Sequence, residues 1–379
     1  MRQILFFFLP FLLLISCTQS PQSDEQSEEF EIIYEDNKGQ SWYDEGKTKQ
    51  REIFEVKYAD GQPIQHGAYK IYFENGSLWQ EGEFKDGKLS GLWKTYHENG
   101  NIKQELTFSE GKKDGLSKTY SENGELYQQV MIKNNQMEGD MLVYYESGVL
   151  MEKVNYKNGN REGSAIGYYE DSTIMYDCNF KSGKAEGPYL AYYDNGNIKE
   201  LANKKAGMYS GRFVGFYEEE DSLKSKECTY ANGLLEGEFT GYHPNGNIMI
   251  KTTYSKGKAN GLFKETYEDN SMKEEGKMEN DMRTGIWKGY YQNEQLSQEG
   301  TYIADQFDGE WKVYYKNGKL KQIGSYKKGK AEGNWQFYFE TGKLEKEGEY
   351  SNDEQTGLWK RYDKEGNKIE EHDFSKEAS

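Results

Sequence analysis

Residues 91–100 read GLWKTYHENG, and residues 309–318 read GEWKVYYKNG. Gly, Trp, Lys, Tyr and a closing Gly stand at the same offsets in both. The opening glycine recurs at 67, 91, 115, 139, 163, 187 and 211, and again at 237, 261, 285, 309, 333 and 357. Every step is 24 residues except 211 to 237, which is 26. A fixed period in the range of about 20 to 50 residues marks a repeat architecture, in which each repeat leans on its neighbours.

Counting from that glycine, each position has its own job. The third is aromatic in most repeats, as at Tyr69, Trp93, Phe213, Trp287, Trp311 and Trp359. The sixth is nearly always Tyr, as at Tyr96 and Tyr314, and the tenth is usually Gly after Asn, as at Gly100 and Gly318. The eighteenth is usually aromatic again, and a second glycine follows near the twenty-first, as at Gly87, Gly159, Gly257 and Gly329. Gly91, Trp93, Tyr96 and Gly100, with Gly309, Trp311, Tyr314 and Gly318, are the framework in its fullest form.

Asn-Gly supplies two positive φ angles, so the pattern predicts a type I′ turn at each Asn-Gly, flanked by aromatic strands of about seven residues. The second glycine cluster, as in KDGKLSG, turns the chain into the next hairpin. The expected fold is all-β: an elongated, twisted, single-sheet rod of about 13 antiparallel hairpins. At roughly 4.8 Å per strand, 26 strands would extend on the order of 120 Å. Residues 37–66 read as a degenerate first repeat and 67–379 as thirteen repeats, with an irregular middle near 163–236 where Asn-Gly turns and aromatics drop out.

Composition fits such an array better than a globule. Of 379 residues only 35% are hydrophobic, yet 15% are aromatic, with 42 Gly and only 5 Pro. The aromatics argue against disorder, and the shortage of aliphatics argues against one large core.

The first 16 residues differ. Arg2 precedes an apolar stretch from Ile4 to Ile15, too short to span a bilayer and the right length for a secretory leader. Leu14-Ile15-Ser16-Cys17 resembles a bacterial lipobox, which implies that residues 1–16 are a signal peptide and that Cys17 becomes the lipid-modified first residue. Residues 17–36 are polar and acidic and read as a disordered tether. The expected location is the bacterial cell envelope, on the outer membrane, because Thr18 is not the Asp that retains enteric lipoproteins at the inner one.

GLWKTYHENGNIKQELTFSEGKKDG and GEWKVYYKNGKLKQIGSYKKGKAEG closely resemble the bacterial variant of the MORN repeat, the membrane occupation and recognition nexus motif. The resemblance spans about residues 60 to 379. It implies an elongated antiparallel sheet. Bacterial proteins with this repeat are often labelled YwqK-type antitoxins.

No chemistry rises above the repeat. His66, His97, His243 and His372 fall in repeats far apart, so no metal or cofactor is expected. Cys178 and Cys228 lie two repeats apart, too far for a disulfide, and should be free and sheltered. KSGKAEG, SKGKANG and KKGKAEG lack a phosphate-loop ending and recur at the turn phase. Glu218-Glu219-Glu220-Asp221 reads as a solvated hairpin tip. A net charge of −17 disfavours nucleic acid and anionic lipid faces as partners.

The expected function is non-enzymatic. The chain would be an envelope-anchored scaffold for another protein, attached to the membrane through Cys17, with an antitoxin-like role as one narrow form of it. The alternative is a glycan- or peptidoglycan-binding module that stacks sugar rings on exposed aromatic rows.

Overall fold

A computed structural model describes residues 30–219 and 222–376. Cys17, the leader and most of the predicted tether lie outside the described residues. The chain divides into a first unit ending at Gly100 and a second beginning at Asn101. Each is an antiparallel meander in which consecutive strands pair. In the first, Gln50–Ala59, Gln62–Tyr72, Leu78–Lys85 and Lys88–Tyr96 follow one another. The second continues the pattern to Lys368–Asp373. Among the described residues there is no α-helix, only one three-residue 3₁₀ turn at Phe374–Lys376. The all-β expectation therefore holds.

The two kinds of turn are the reverse of the sequence expectation. Type I′ geometry occurs at the second glycine cluster. There Asp86 and Gly87 both have positive φ (53° and 76°), and Lys85 pairs with Lys88 across them. The Asn-Gly loops are longer. The Gly76 amide donates to the Phe73 carbonyl (2.9 Å), and the Phe73 amide donates to the Ser77 carbonyl (2.8 Å). Of the Asn75-Gly76 pair only Gly76 has positive φ, at 86°. That is a type I turn closed by a left-handed residue, the three-residue hairpin loop. The Asn instead accepts locally: Asn75 Oδ1 takes the Ser77 amide (2.9 Å) and the Ser77 hydroxyl (2.6 Å). Asp171 does the same for Thr173 (2.9 Å), so the repeat without Asn-Gly keeps the loop, with Ser172 at φ 72°.

The predicted irregular middle shrinks to one loop. Hairpin register persists through Gly163↔Phe180, Gly187↔Lys204 and Gly211↔Tyr230. The two extra residues enter the loop closed by the Tyr217 amide and the Leu223 carbonyl (2.9 Å). Residues 220 and 221 lie there, outside the described residues. The tether also ends earlier than predicted. Ile33–Glu35 is a strand paired with Lys38–Trp42, and Asp36 and Asn37 form the turn at φ 51° and 59°. Asp and Asn tolerate the left-handed region. The acidic run-up hid a turn, and Tyr34 packs edge-on to Phe54 at 6.4 Å.

The opening glycine of each repeat lies at a bulge. Glu275 pairs with Lys288 and Lys277 with Thr284, so Gly276 alone faces Gly285, Ile286 and Trp287. Gly285 takes φ 68°, a conformation costly to any residue with a Cβ. The bulge lays the Trp287 ring over Gly276, and a Cβ at Gly276 would fall within that ring. Gly300 lies likewise under Trp311, Gly324 under Trp335, Gly348 under Trp359, and Gly82 under Trp93. In the second unit these residues form one column down one face. It runs Gly276, Trp287, Gly300, Trp311, Gly324, Trp335, Gly348, Trp359. Toward the middle the same column shrinks to Val130, Met141, Val154, Ala165 and Cys178, all buried. A bulky residue thus faces a small one, or two medium ones meet, which keeps the column filled.

Candidate interaction surface

The aromatic rows come first because they were a predicted binding surface. Trp93, Trp287, Trp311, Trp335 and Trp359 are only 4–6% exposed. All but Trp287 meet the eighteenth-position ring of the preceding repeat edge-on, as Phe84 and Trp93 do at 5.2 Å and 89°, Tyr302 and Trp311 at 5.3 Å and 85°, and Tyr326 and Trp335 at 5.0 Å and 90°; Trp287 packs there on Met278. The indole N–H groups of Trp93, Trp287 and Trp359 donate to backbone carbonyls at 3.1–3.2 Å. The framework residues Trp93 and Trp311 therefore pack the sheet, and Gly91, Gly100, Gly309 and Gly318 set its bulges and loops through positive φ.

Three ladders then stitch repeat to repeat. Seventh-position tyrosines donate their hydroxyls to a main-chain carbonyl one repeat on: Tyr145 to Tyr168 (2.8 Å), Tyr169 to Tyr192 (2.8 Å), Tyr291 to Tyr314 (2.8 Å) and Tyr315 to Tyr338 (2.7 Å). His243 fills the same place with its Nε2 on the Thr266 carbonyl (2.8 Å). Loop asparagines reach the next loop, Asn195 Nδ2 to the Glu218 carbonyl (3.0 Å) and Asn245 Nδ2 to the Glu268 carbonyl (2.6 Å). Carboxylates before the opening glycine accept a turn amide of the next repeat, Glu138 from Asn158 (2.9 Å) and Glu162 from Ser182 (2.7 Å). The sequence reading missed the tyrosine ladder, although the seventh position repeats visibly in the chain. Removing one hydroxyl should weaken a single inter-repeat bond. Tyr291→Phe is expected to lower stability by about 1 kcal/mol in urea unfolding.

The sixth-position tyrosines lie on the opposite face and bond carboxylates: Tyr96 to Glu81 (2.7 Å), Tyr120 to Glu105 (2.9 Å), Tyr290 to Glu275 (3.0 Å) and Tyr314 to Glu299 (2.9 Å). Burial, then the hydrogen bond to that carboxylate, pushes the Tyr120, Tyr290 and Tyr314 phenols up to about 12. Tyr145, Tyr169 and Tyr193 are raised too, first by burial and then by loop carboxylates such as Glu170 and Glu218.

Other chemistry is absorbed by the fold. Glu52, 8% exposed, accepts from the Ser41 hydroxyl (3.0 Å), Arg51 (2.8 Å) and the Tyr69 hydroxyl (3.0 Å). Glu152 takes the Tyr176 hydroxyl at 2.5 Å beside Arg161. Cys178 and Cys228 are free and buried, and burial pushes the Cys178 thiol up to about 11. Among the described residues no three of His, Cys, Asp and Glu gather as a metal site. No helix there is long and apolar enough to cross a membrane.

What stays outside is aliphatic and charged. Second-position side chains point away from the tryptophan column. Leu262 is 70% exposed and Ile286 66%, and Leu92, Leu116 and Leu358 recur at the same phase. In the second unit Leu116 pairs with exposed Met131, Leu262 with Lys277, and Ile286 with Thr301. Leu262 and Ile286, in adjacent repeats, make a two-residue exposed aliphatic patch bordered by Lys277 and Thr301; Glu238 and Glu310 hold the same position in the repeats on either side.

No curated protein matches the chain. Among solved structures it is similar to two described as TcdB2-TccC3-Cdc42 and TcdB2-TccC3. The first is 10% identical, with a TM-score of 0.16, over 85% of this chain and 24% of that one. The second is 9% identical, with a TM-score of 0.15, over 87% and 24%. A Photorhabdus luminescens Tc holotoxin pore matches at 11% identity and a TM-score of 0.15, over 87% and 22%. The chain thus spans about a quarter of each or less, and TM-scores this low carry no conclusion. The MORN repeat variant matches nine segments: 65–86, 89–110, 113–134, 137–158, 185–203, 235–256, 283–304, 307–328 and 331–352. Those segments make up about half of the chain and follow the 24-residue period read from the glycines. The chain belongs to the MORN repeat variant family.

Proposed function

We propose that this protein is a non-enzymatic repeat scaffold that binds another protein, held at a bacterial cell envelope by lipid on Cys17. The observation that carries the reading is the exposed aliphatic pair in adjacent repeats, Leu262 at 70% and Ile286 at 66% exposure. Exposed aliphatic side chains amid charge suit the apolar centre and polar rim of a protein interface. They suit a sugar less well, because sugar rings stack on aromatics, and five of the seven tryptophans are buried in the array. An antitoxin-like role is a narrow form of this scaffold and requires a toxin at the envelope.

The test is crosslinking in living cells, then capture through a C-terminal tag and mass spectrometry. The expected result is one reproducible protein partner, lost on Leu262→Asp with Ile286→Asp while far-UV circular dichroism stays unchanged. Capture of peptidoglycan or glycan instead, unaffected by those substitutions, would overturn the reading in favour of carbohydrate binding.

A further inference from the structure

Between Gly115 and Glu218 the second unit separates charge between its two turn edges. Type I loops all lie on one edge and type I′ turns on the other, because the meander alternates them. Eighth-position residues on the first edge are acidic in five successive repeats: Glu122, Glu146, Glu170, Asp194 and Glu218, all exposed. The loops at 121–125, 145–149, 169–173 and 193–197 contain no Lys, Arg or His. On the opposite edge the turns open with Lys133, Lys157, Lys181 and Lys205, also exposed. The turns KNNQ, KNGN, KSGK and KAGM contain no Asp or Glu. Nearby Glu138, Glu162 and Glu186, half-buried, accept turn amides of the following repeat. Both rows recur every 24 residues, two strands apart, or about 10 Å by strand spacing.

We propose that the acidic edge of one copy docks against the lysine edge of a second copy of this chain, side by side. The match is one of sign and of pitch. Both rows have the same period because the same repeats produce them, so one registered contact brings the next into register and the weak pairs act together. Each exposed pair contributes little by itself. The two edges differ, so the contact is heterologous and non-closing. Lateral rows of copies result, not a two-fold dimer. The net charge of −17 opposes approach at long range, but salt screens it beyond about 8 Å at physiological ionic strength, where edge-to-edge contacts persist. The exposed pair Leu262 and Ile286 lies on a sheet face, apart from both edges.

The test is sedimentation velocity on the full-length protein at about 100 mM salt, the low-salt condition, and about 500 mM salt. Wild type should form species larger than a dimer at low salt and disperse at high salt. Glu122→Lys, Glu146→Lys, Glu170→Lys, Asp194→Lys and Glu218→Lys together turn the whole eighth-position row from acidic to basic, like the opposite row. Lys133→Glu, Lys157→Glu, Lys181→Glu and Lys205→Glu together make both negative. Each variant alone should stay monomeric, and an equal mixture should associate again. That recovery also shows that the variants are folded. A wild type that stays monomeric at low salt, association that persists in either variant alone, or a mixture that fails to associate would overturn the proposal.

Discussion

Gly300→Val is expected to destabilise the second unit by about 3 kcal/mol, near the upper end for overpacking a filled core. The added carbons would occupy the volume of the Trp311 ring. That ring is hemmed in by Tyr302 at 5.3 Å and Phe307 at 4.5 Å. Removing the ring should cost about as much: Trp311→Ala leaves a cavity worth about 3–5 kcal/mol. Both are read from urea unfolding followed by far-UV circular dichroism. The chain itself supplies a compensated pair, because Phe213 packs on Ala202 where Trp287 packs on Gly276. Gly276→Ala combined with Trp287→Phe should therefore cost less than the two changes summed. An additive result would show that the ring and the glycine do not share one volume.

The second large effect is alkaline unfolding. The chain has 32 tyrosines, and in many of them the folded state holds the phenol above its ordinary value of about 10. Below pH 10 both states keep the proton, and the full stability is present. Between about pH 10 and 12 the unfolded chain releases protons that Tyr120, Tyr290 and Tyr314 retain, so stability falls as pH rises through that window. Each retained proton costs about 1.4 kcal/mol per pH unit, less for these partly exposed phenols because solvent screens them. The expectation is a cooperative loss of sheet signal above pH 10, with most phenolate absorbance appearing during unfolding. Independent tyrosine titration at ordinary values, with the sheet intact, would contradict it.

The period and its glycine phase were legible because they are strict: a bulge that demands positive φ tolerates little besides Gly. The aromatic third and eighteenth positions were legible for the same reason. Turn type was not. Asn-Gly suits either a type I′ turn or a type I loop, and strand length decides between them. At residue 76 the strands end one residue too early for the tighter turn, whereas Asp86-Gly87 has its flanking lysines already paired. The aromatic rows were legible as rows but not as buried ones. Burial depends on the bulge that drops each Trp over a glycine of the preceding repeat, and the eleven-residue step from Gly276 to Trp287 would have revealed it. The strand at Ile33–Glu35 was lost behind acidic composition, although Asp36-Asn37 is a turn pair. The exposed leucines and isoleucines escaped notice because single apolar residues at second positions look incidental until their phase is counted.

The account's central claim is that the 24-residue repeat is the unit of folding and of surface. Deleting residues 285–308 tests it most directly, because the deletion joins Thr284 to Gly309 and sets Trp311 over Gly276 in place of Trp287. The predicted result is a folded protein with native sheet content per residue and a urea midpoint close to the parent's, whereas deleting only 297–308 removes one strand and collapses the neighbouring repeats. Equal disruption by both deletions would contradict the account.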